Sequence, residues 1–157
     1  MEYEIIIKRE ELLHQMNLRT HYHAECEKRR DPDADVGETS VDDEEIIDTF
    51  LRNSVNAIVM EQRERLKDIS CKLTDGYLSV KFTAPVEGRD YLLSMLKQSL
   101  TDYLVNELLI QWLFIRQRSW SDSYVAMRSE FYNRVRDIFA SFCNRRIRRR
   151  PTNLAGI

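Results

Sequence analysis

A chain of 157 residues is one domain's worth of polypeptide, and 43% apolar residues suffice for a core without disulfide or metal staples. Only four Gly and three Pro argue against an all-β fold with many tight turns. The net charge of −2 hides a separation: residues 31–48 carry nine acids and no base, whereas residues 116–150 carry ten arginines against Asp122, Glu130 and Asp137.

That separation has two readings. One is a pair of solvated faces. The other is complementary surfaces, facing each other between copies or facing a polyanion. The three cysteines, Cys26, Cys71 and Cys143, are odd in number, far apart and without a CxxC pair. They read as reduced thiols of a cytosolic chain. No secretory signal is expected, because Met1–Glu4 is acidic and Ile5–Ile7 is too short for an apolar signal core.

In chain order, EYEIII (residues 2–7) reads as a short strand or extended arm, since three adjacent isoleucines cannot all face water. A helix is expected over 9–29, with a narrow stripe of Leu12, Leu13, Met16, Tyr22 or His23, and Cys26. All three histidines, His14, His21 and His23, lie here ahead of Cys26. Residues two apart point about 200° away from each other on a helix, so His21 and His23 cannot easily share a metal. The i, i+4 ligand pair is missing, and packed or solvated histidines are expected.

Residues 31–41, DPDADVGETSV, read as a flexible acidic linker. Asp31, Asp33 and Asp35 imitate an EF-hand loop, but its sixth and twelfth positions hold Val36 and Asp42 where Gly and Glu are required. A helix start follows, with Ser40-x-x-Asp43 and Asp42-x-x-Glu45 offering capping arrangements. Its stripe is Ile47, Phe50/Leu51, Ser54/Val55, Ile58/Val59 and Leu66, with Glu61–Lys67 as a solvated last turn.

The period then changes to two. Ile69, Cys71 and Leu73 alternate, as do Leu78, Val80 and Phe82, around the turn signal Asp75-Gly76. This predicts a β-hairpin, which needs a helix, EYEIII or a neighbouring copy to pack against. From Arg89 to Trp120 runs the stretch that organises the chain, a helix whose second half is apolar on most sides. Such a helix must be covered by other elements or by other copies. Lys97, Asp102, Asn106, Glu107 and Gln111 interrupt it, so it is not a membrane span. Ser121 or Asp122 is expected to cap a last helix over 122–147 with the stripe Tyr124, Met127, Phe131, Val135, Ile138 and Phe142. The expected fold is mainly α: four helices, one small hairpin, and an antiparallel C-terminal helix pair as core, all in one domain over 1–157.

No phosphate-binding loop, dinucleotide fingerprint, nucleophile elbow or HExxH motif occurs. Asp102 and Glu107 are the acids with a plausible buried setting, but a five-residue step turns them about 140° apart. A satisfied or snorkelling carboxylate is expected, and the chain reads as a non-enzyme without metal or cofactor. The candidate interaction residues are the acids Asp42, Asp43, Glu44 and Glu45 and the basic run Arg145, Arg146, Arg148, Arg149 and Arg150. Arginine clusters bind phosphate, so that run also offers a DNA contact.

Asp75–Thr83, Met95–Ile115, Tyr124 and the ending Arg148-Arg149-Arg150-Pro151-Thr152 carry a resemblance. So, more loosely, do Ile5–Lys8 and Val41–Glu45. On these the chain resembles a family of small proteins encoded in the phage and prophage structural clusters of Bacteroidetes. It departs in having Asn144–Ile147 where such proteins place tyrosines. The order of acidic helix start, helix, extended segment and long apolar helix is also similar to phage head–tail connector (adaptor) proteins. The resemblance implies a virion structural or assembly role and a self-associating ring subunit. Its implied partners are portal or tail proteins, met in the bacterial host cytoplasm and then in the virion. It brings no catalytic residues.

Overall fold

Alternation resolves the three adjacent isoleucines. In strand β1 (Glu2–Lys8), Tyr3, Ile5 and Ile7 turn inward, while Glu2, Glu4, Ile6 and Lys8 turn outward. The computed structural model describes residues 1–33, 43–66, 68–85, 90–116 and 118–143, the side chains of 116 and 118–120 excepted. Helices α1 (Arg9–Arg30) and α2 (Glu44–Gln62) follow. Then come strands β2 (Ser70–Leu73) and β3 (Tyr77–Thr83), and helices α3 (Asp90–Arg116) and α4 (Arg118–Cys143).

The predicted hairpin is the inner part of a larger sheet. β3 lies in the centre, paired antiparallel with β2 on one side and β1 on the other. EYEIII is thus the third strand that the hairpin needed. The turn is closed by Thr74, whose N–H donates to the Tyr77 carbonyl (3.0 Å) and whose Oγ1 accepts from the Tyr77 N–H (3.2 Å). One face of the sheet carries Tyr3, Ile5, Ile7, Leu78, Val80 and Phe82, all buried under the helices. Burying each such side chain contributes about 1.5–3 kcal/mol. The other face is mostly polar and open.

α1 leaves β1 directly. Lys8 is both its N-cap and the last strand residue, and no side chain caps it. Glu10 and Glu11 in the first turn and Lys28–Arg30 in the last complement the helix dipole. Its buried stripe is Leu12, Met16, Thr20, His23 and Ala24, so Tyr22 faces solvent and Cys26 is half-buried.

In α2 the apolar stripe stands as expected from Ile47 to Val59. Two expectations change. Asp43 is the N-cap but makes no side-chain cap hydrogen bond, while Ser40 and Asp42 lie outside the described residues. The helix also ends at Gln62 rather than Leu66. Leu66 reaches the core from the following turn, where its N–H bonds the Gln62 carbonyl at 2.8 Å, and Gln62 is buried rather than part of a solvated turn.

α3 is the axis. Tyr103–Ile110 are buried without a break, as are Trp112 and Leu113. α1, α2, α4 and β1 all pack on it. The apolar helix is therefore covered by its own chain, so its greasiness does not by itself call for a second copy. Phe114 and Ile115 at its end stay more than half exposed.

α4 begins at Arg118, earlier than expected, so Ser121 and Asp122 lie inside it and Ser121 is buried. Its inward line is Tyr124, Val135, Phe139 and Phe142, with Phe131 and Ile138 half-buried and Met127 exposed. Arg128 closes on α3, which is why its neighbour Met127 turns away. Phe139 and Phe142 meet Phe82 edge-on at 5.4 and 5.1 Å, and Phe142 lies 5.0 Å from Tyr3. The C-terminal helix pair is the core, as expected, and one apolar cluster draws on every element. Residues 34–41 of the expected linker lie outside the described residues. Among the described residues, no helix is long and apolar enough to cross a membrane.

Candidate interaction surface

The acidic start of α2 is partly closed at home. Arg9, at the strand-to-helix junction, donates from Nε to Asp48 (2.9 Å) and from Nη2 to Glu44 (3.2 Å). These bonds raise the Arg9 pKa, the Asp48 bond most and against the effect of burial. Asp43 is buried and Glu45 faces solvent. Asp42 and the run Arg145, Arg146, Arg148, Arg149 and Arg150 lie outside the described residues. Of the expected acidic surface, Glu45 is the member left both exposed and outside the Arg9 pairs among the described residues.

The histidines part company. His14 and His21 are exposed and His23 is buried. No three His, Cys, Asp or Glu side chains converge as metal ligands among the described residues. His23 Nε2 shares a hydrogen bond of 2.5 Å with the Tyr124 hydroxyl, across the α1–α4 contact. Burial holds His23 below the usual histidine range and pushes the Tyr124 phenol up, so both stay uncharged at neutral pH.

This pair opens a polar seam that runs down α3 and α4. Asn106 Nδ2 donates to the Tyr124 carbonyl at 3.1 Å. Glu107 accepts two bonds from Arg128, at 2.6 Å from Nε and 3.0 Å from Nη2. The Glu107 side chain is 8% exposed and the Arg128 side chain 45%, so the carboxylate is sunk and its cation reaches it from the rim. One turn earlier on α3, the Tyr103 hydroxyl is pushed up to about 12, by burial first and by the Glu107 charge second. The expected satisfied carboxylate is there, and its partner is Arg128. Asp102 sits nearer the surface and accepts from Gln98 at 3.0 Å. Sequence reading missed Arg128, Tyr124's partner and the role of Asn106. The available signal was two adjacent polar residues in an apolar helix.

Burial pushes both Cys71 and Cys143 up, and Cys71 donates to Asn56 Oδ1 at 3.5 Å. Two shallow clefts flank Cys71. One, of about 300 Å³, lies between α2 and β2, lined by Arg52, Asn56 and Leu73 among others. The second, of about 290 Å³, lies on the open sheet face among Glu4, Lys72, Tyr77 and Lys81. There Glu4 accepts from Ser79 Oγ (2.6 Å) and pairs with Lys81 at 3.7 Å.

Ile6 on the open sheet face, Tyr22 on α1, Met60 on α2, and Phe114 and Ile115 on α3 are exposed apolar side chains. β1 forms one margin of the sheet across its full length. Compared with known proteins, the chain matches no family model, no curated protein and no solved structure. The fold and these margins therefore carry the functional reading, with the sequence resemblance beside them.

Proposed function

We propose that this chain is a phage or prophage virion structural or assembly protein, a head–tail connector or tail-completion subunit that acts by self-association into a ring. The observation that carries the reading is the open seven-residue margin of the sheet at β1, a long strand with nothing paired on its outer side among the described residues. Such a margin is a template for another chain. The resemblance to phage structural-cluster and connector proteins supplies the class, and the segregation of nine acids from ten arginines supplies a second means of attraction between copies. A ring of one repeated contact needs a heterologous one, which closes when the rotation permits; a margin that pairs with its own copy supplies dimers, which a second surface joins into the ring. The partners are further copies of the chain and the portal or tail proteins of the same particle.

Light scattering against concentration and salt tests the reading. Multimers are expected in concentrated, low-salt solution or on adding the structural proteins encoded by flanking genes. A strict monomer under both conditions would overturn it. The run Arg145–Arg150 favours a second reading, a nucleic-acid-binding module. That reading requires DNA affinity that falls steeply with salt and is lost when those arginines are replaced.

A further inference from the structure

Strand β1 is an edge with a definite polarity of hydrogen bonding. In an antiparallel ladder, hydrogen-bonded pairs alternate along the strand. Met1 and Ala84 exchange both bonds at 3.0 Å, and the Arg9 N–H donates to the Gly76 carbonyl at 3.0 Å. With the register Tyr3↔Phe82, Ile5↔Val80 and Ile7↔Leu78, the odd residues of β1 bond inward to β3. Glu2, Glu4, Ile6 and Lys8 therefore aim their backbone groups at the outer edge, where nothing among the described residues pairs with them. No proline and no bulge interrupts this run, though these are the usual devices that blunt an exposed edge.

The opposite edge is a poorer template. β2 has four residues, and the same alternation leaves only Cys71 and Leu73 aimed outward, beside α2.

We propose that β1 pairs antiparallel with β1 of a second copy of this chain, centred on Ile5, so that Glu2 of each copy faces Lys8 of the other. The proposal rests on the self-associating reading above and names its contact. The even residues must face even residues, because theirs are the backbone groups of β1 that point away from β3. Centring on Ile5 sets Glu2 against Lys8 and Glu4 against Ile6, and it uses every outward residue of the strand. The register centred on Glu4 drops Lys8 and sets Glu4 against Glu4, while the one centred on Ile6 drops Glu2 and relies on a Glu4 that Lys81 and Ser79 already engage. The Lys8 carbonyl serves α1, which leaves about six interchain hydrogen bonds from the remaining groups. The two Ile6 side chains, each 49% exposed in the single chain, become diagonal neighbours within reach of each other. The result is one sheet of twice the width, with all helices on its inner face. Pairing of this kind is isologous and closes at two, so a ring built from this unit joins dimers through a different surface.

Sedimentation and native mass spectrometry, in a series reaching about 1 mM, give the oligomeric state. A dimer is expected. Ile6→Pro removes an outward N–H and none of the bonds to β3, so the fold survives and dimerisation weakens at least about tenfold. Glu2→Lys and Lys8→Glu each weaken the dimer roughly five- to tenfold, and the double exchange restores it. In the dimer, the Glu4 and Ile6 amides exchange slowly with solvent. In the Ile6→Pro monomer the Glu4 amide exchanges fast. A dimer or ring that is indifferent to Ile6→Pro and to the charge exchange overturns this contact while leaving the self-associating reading intact. A monomer throughout overturns this contact, and a monomer that also persists at low salt and with the flanking structural proteins overturns the reading it rests on. A monomer whose Glu4 and Ile6 amides are nevertheless protected places another segment of the same chain on the edge, and overturns the contact as well.

Discussion

α4 is fastened to the rest of the molecule in two different ways at its two ends. Near its C-terminus it is held by aromatic rings, Phe139 and Phe142 against Phe82 and Tyr3. Near its N-terminus it is held by polar contacts, Tyr124 to His23 and Asn106, and Arg128 to Glu107. Ring contacts are strong and tolerant of small displacements. Buried polar contacts contribute less net energy, but displacement leaves a group without a partner. One end supplies affinity between helix and sheet; the other fixes the sliding position of α4 along α3.

The largest effect is expected at the aromatic end. Phe82→Ala removes a side chain that is 1% exposed and touched by both α4 rings. It should destabilise the fold by about 3–5 kcal/mol in urea unfolding. A loss under about 1 kcal/mol would mean that the aromatic cluster is dispensable.

At the polar end, Arg128→Met strands the sunken Glu107 carboxylate. A cost of about 2 kcal/mol is expected, reduced from the fully buried case because water reaches the Arg128 side. The double variant Glu107→Leu with Arg128→Met should recover most of that loss. A double variant as unstable as the single one would show that the pair does more than neutralise its own charges.

Tyr124→Phe should cost about 1 kcal/mol, since it leaves the buried His23 Nε2 without this hydrogen bond. The same pair gives a pH dependence. The folded pKa of His23 lies below its unfolded value of 6.5. The unfolded chain therefore binds a proton first, and stability falls as pH drops below about 6.5, levelling off beneath the folded pKa. His23→Gln should remove this component from a urea series run between pH 7.5 and 5. The smallest change is expected at Arg9: Asp48→Asn should cost roughly 0.3–1 kcal/mol, since the Asp48 side chain is 35% exposed.

The two ends also differ in how legible they were. Period alone located the aromatic end, because Phe82 alternates with Val80 and Leu78, and Phe142 continues the stripe of α4. Phe139 was missed because Ile138 beside it is equally apolar, and only the facing helix chooses between adjacent positions. The polar end was invisible to hydrophobicity, since the seam of α4 passes through Arg128 rather than Met127. It was recoverable from pairing: Glu107 and Arg128 stand about ten residues either side of position 117, as opposed residues of an antiparallel helix pair must. The same reflection sets Tyr103 near Tyr132, whose rings lie 6.0 Å apart. Among the proposed interaction residues, the sequence located the acids but not Arg9, the distant base that takes up Glu44 and Asp48. The third strand was legible as an unpaired need of the hairpin, while its central partner and register came only from the fold.

The order of the strands has a consequence for synthesis. The middle strand, β3, is translated after both of its neighbours, and the Met1–Ala84 clasp joins residues 83 positions apart. At about 5–20 residues per second, a nascent chain carries its N-terminal strand without its mate for roughly 4–15 s. During that interval EYEIIIK has both of its edges open, and adjacent ribosomes on one message hold identical copies within reach. Slowing or speeding translation across residues 44–83 should therefore shift the balance between chains that close on themselves and chains that meet a sibling first.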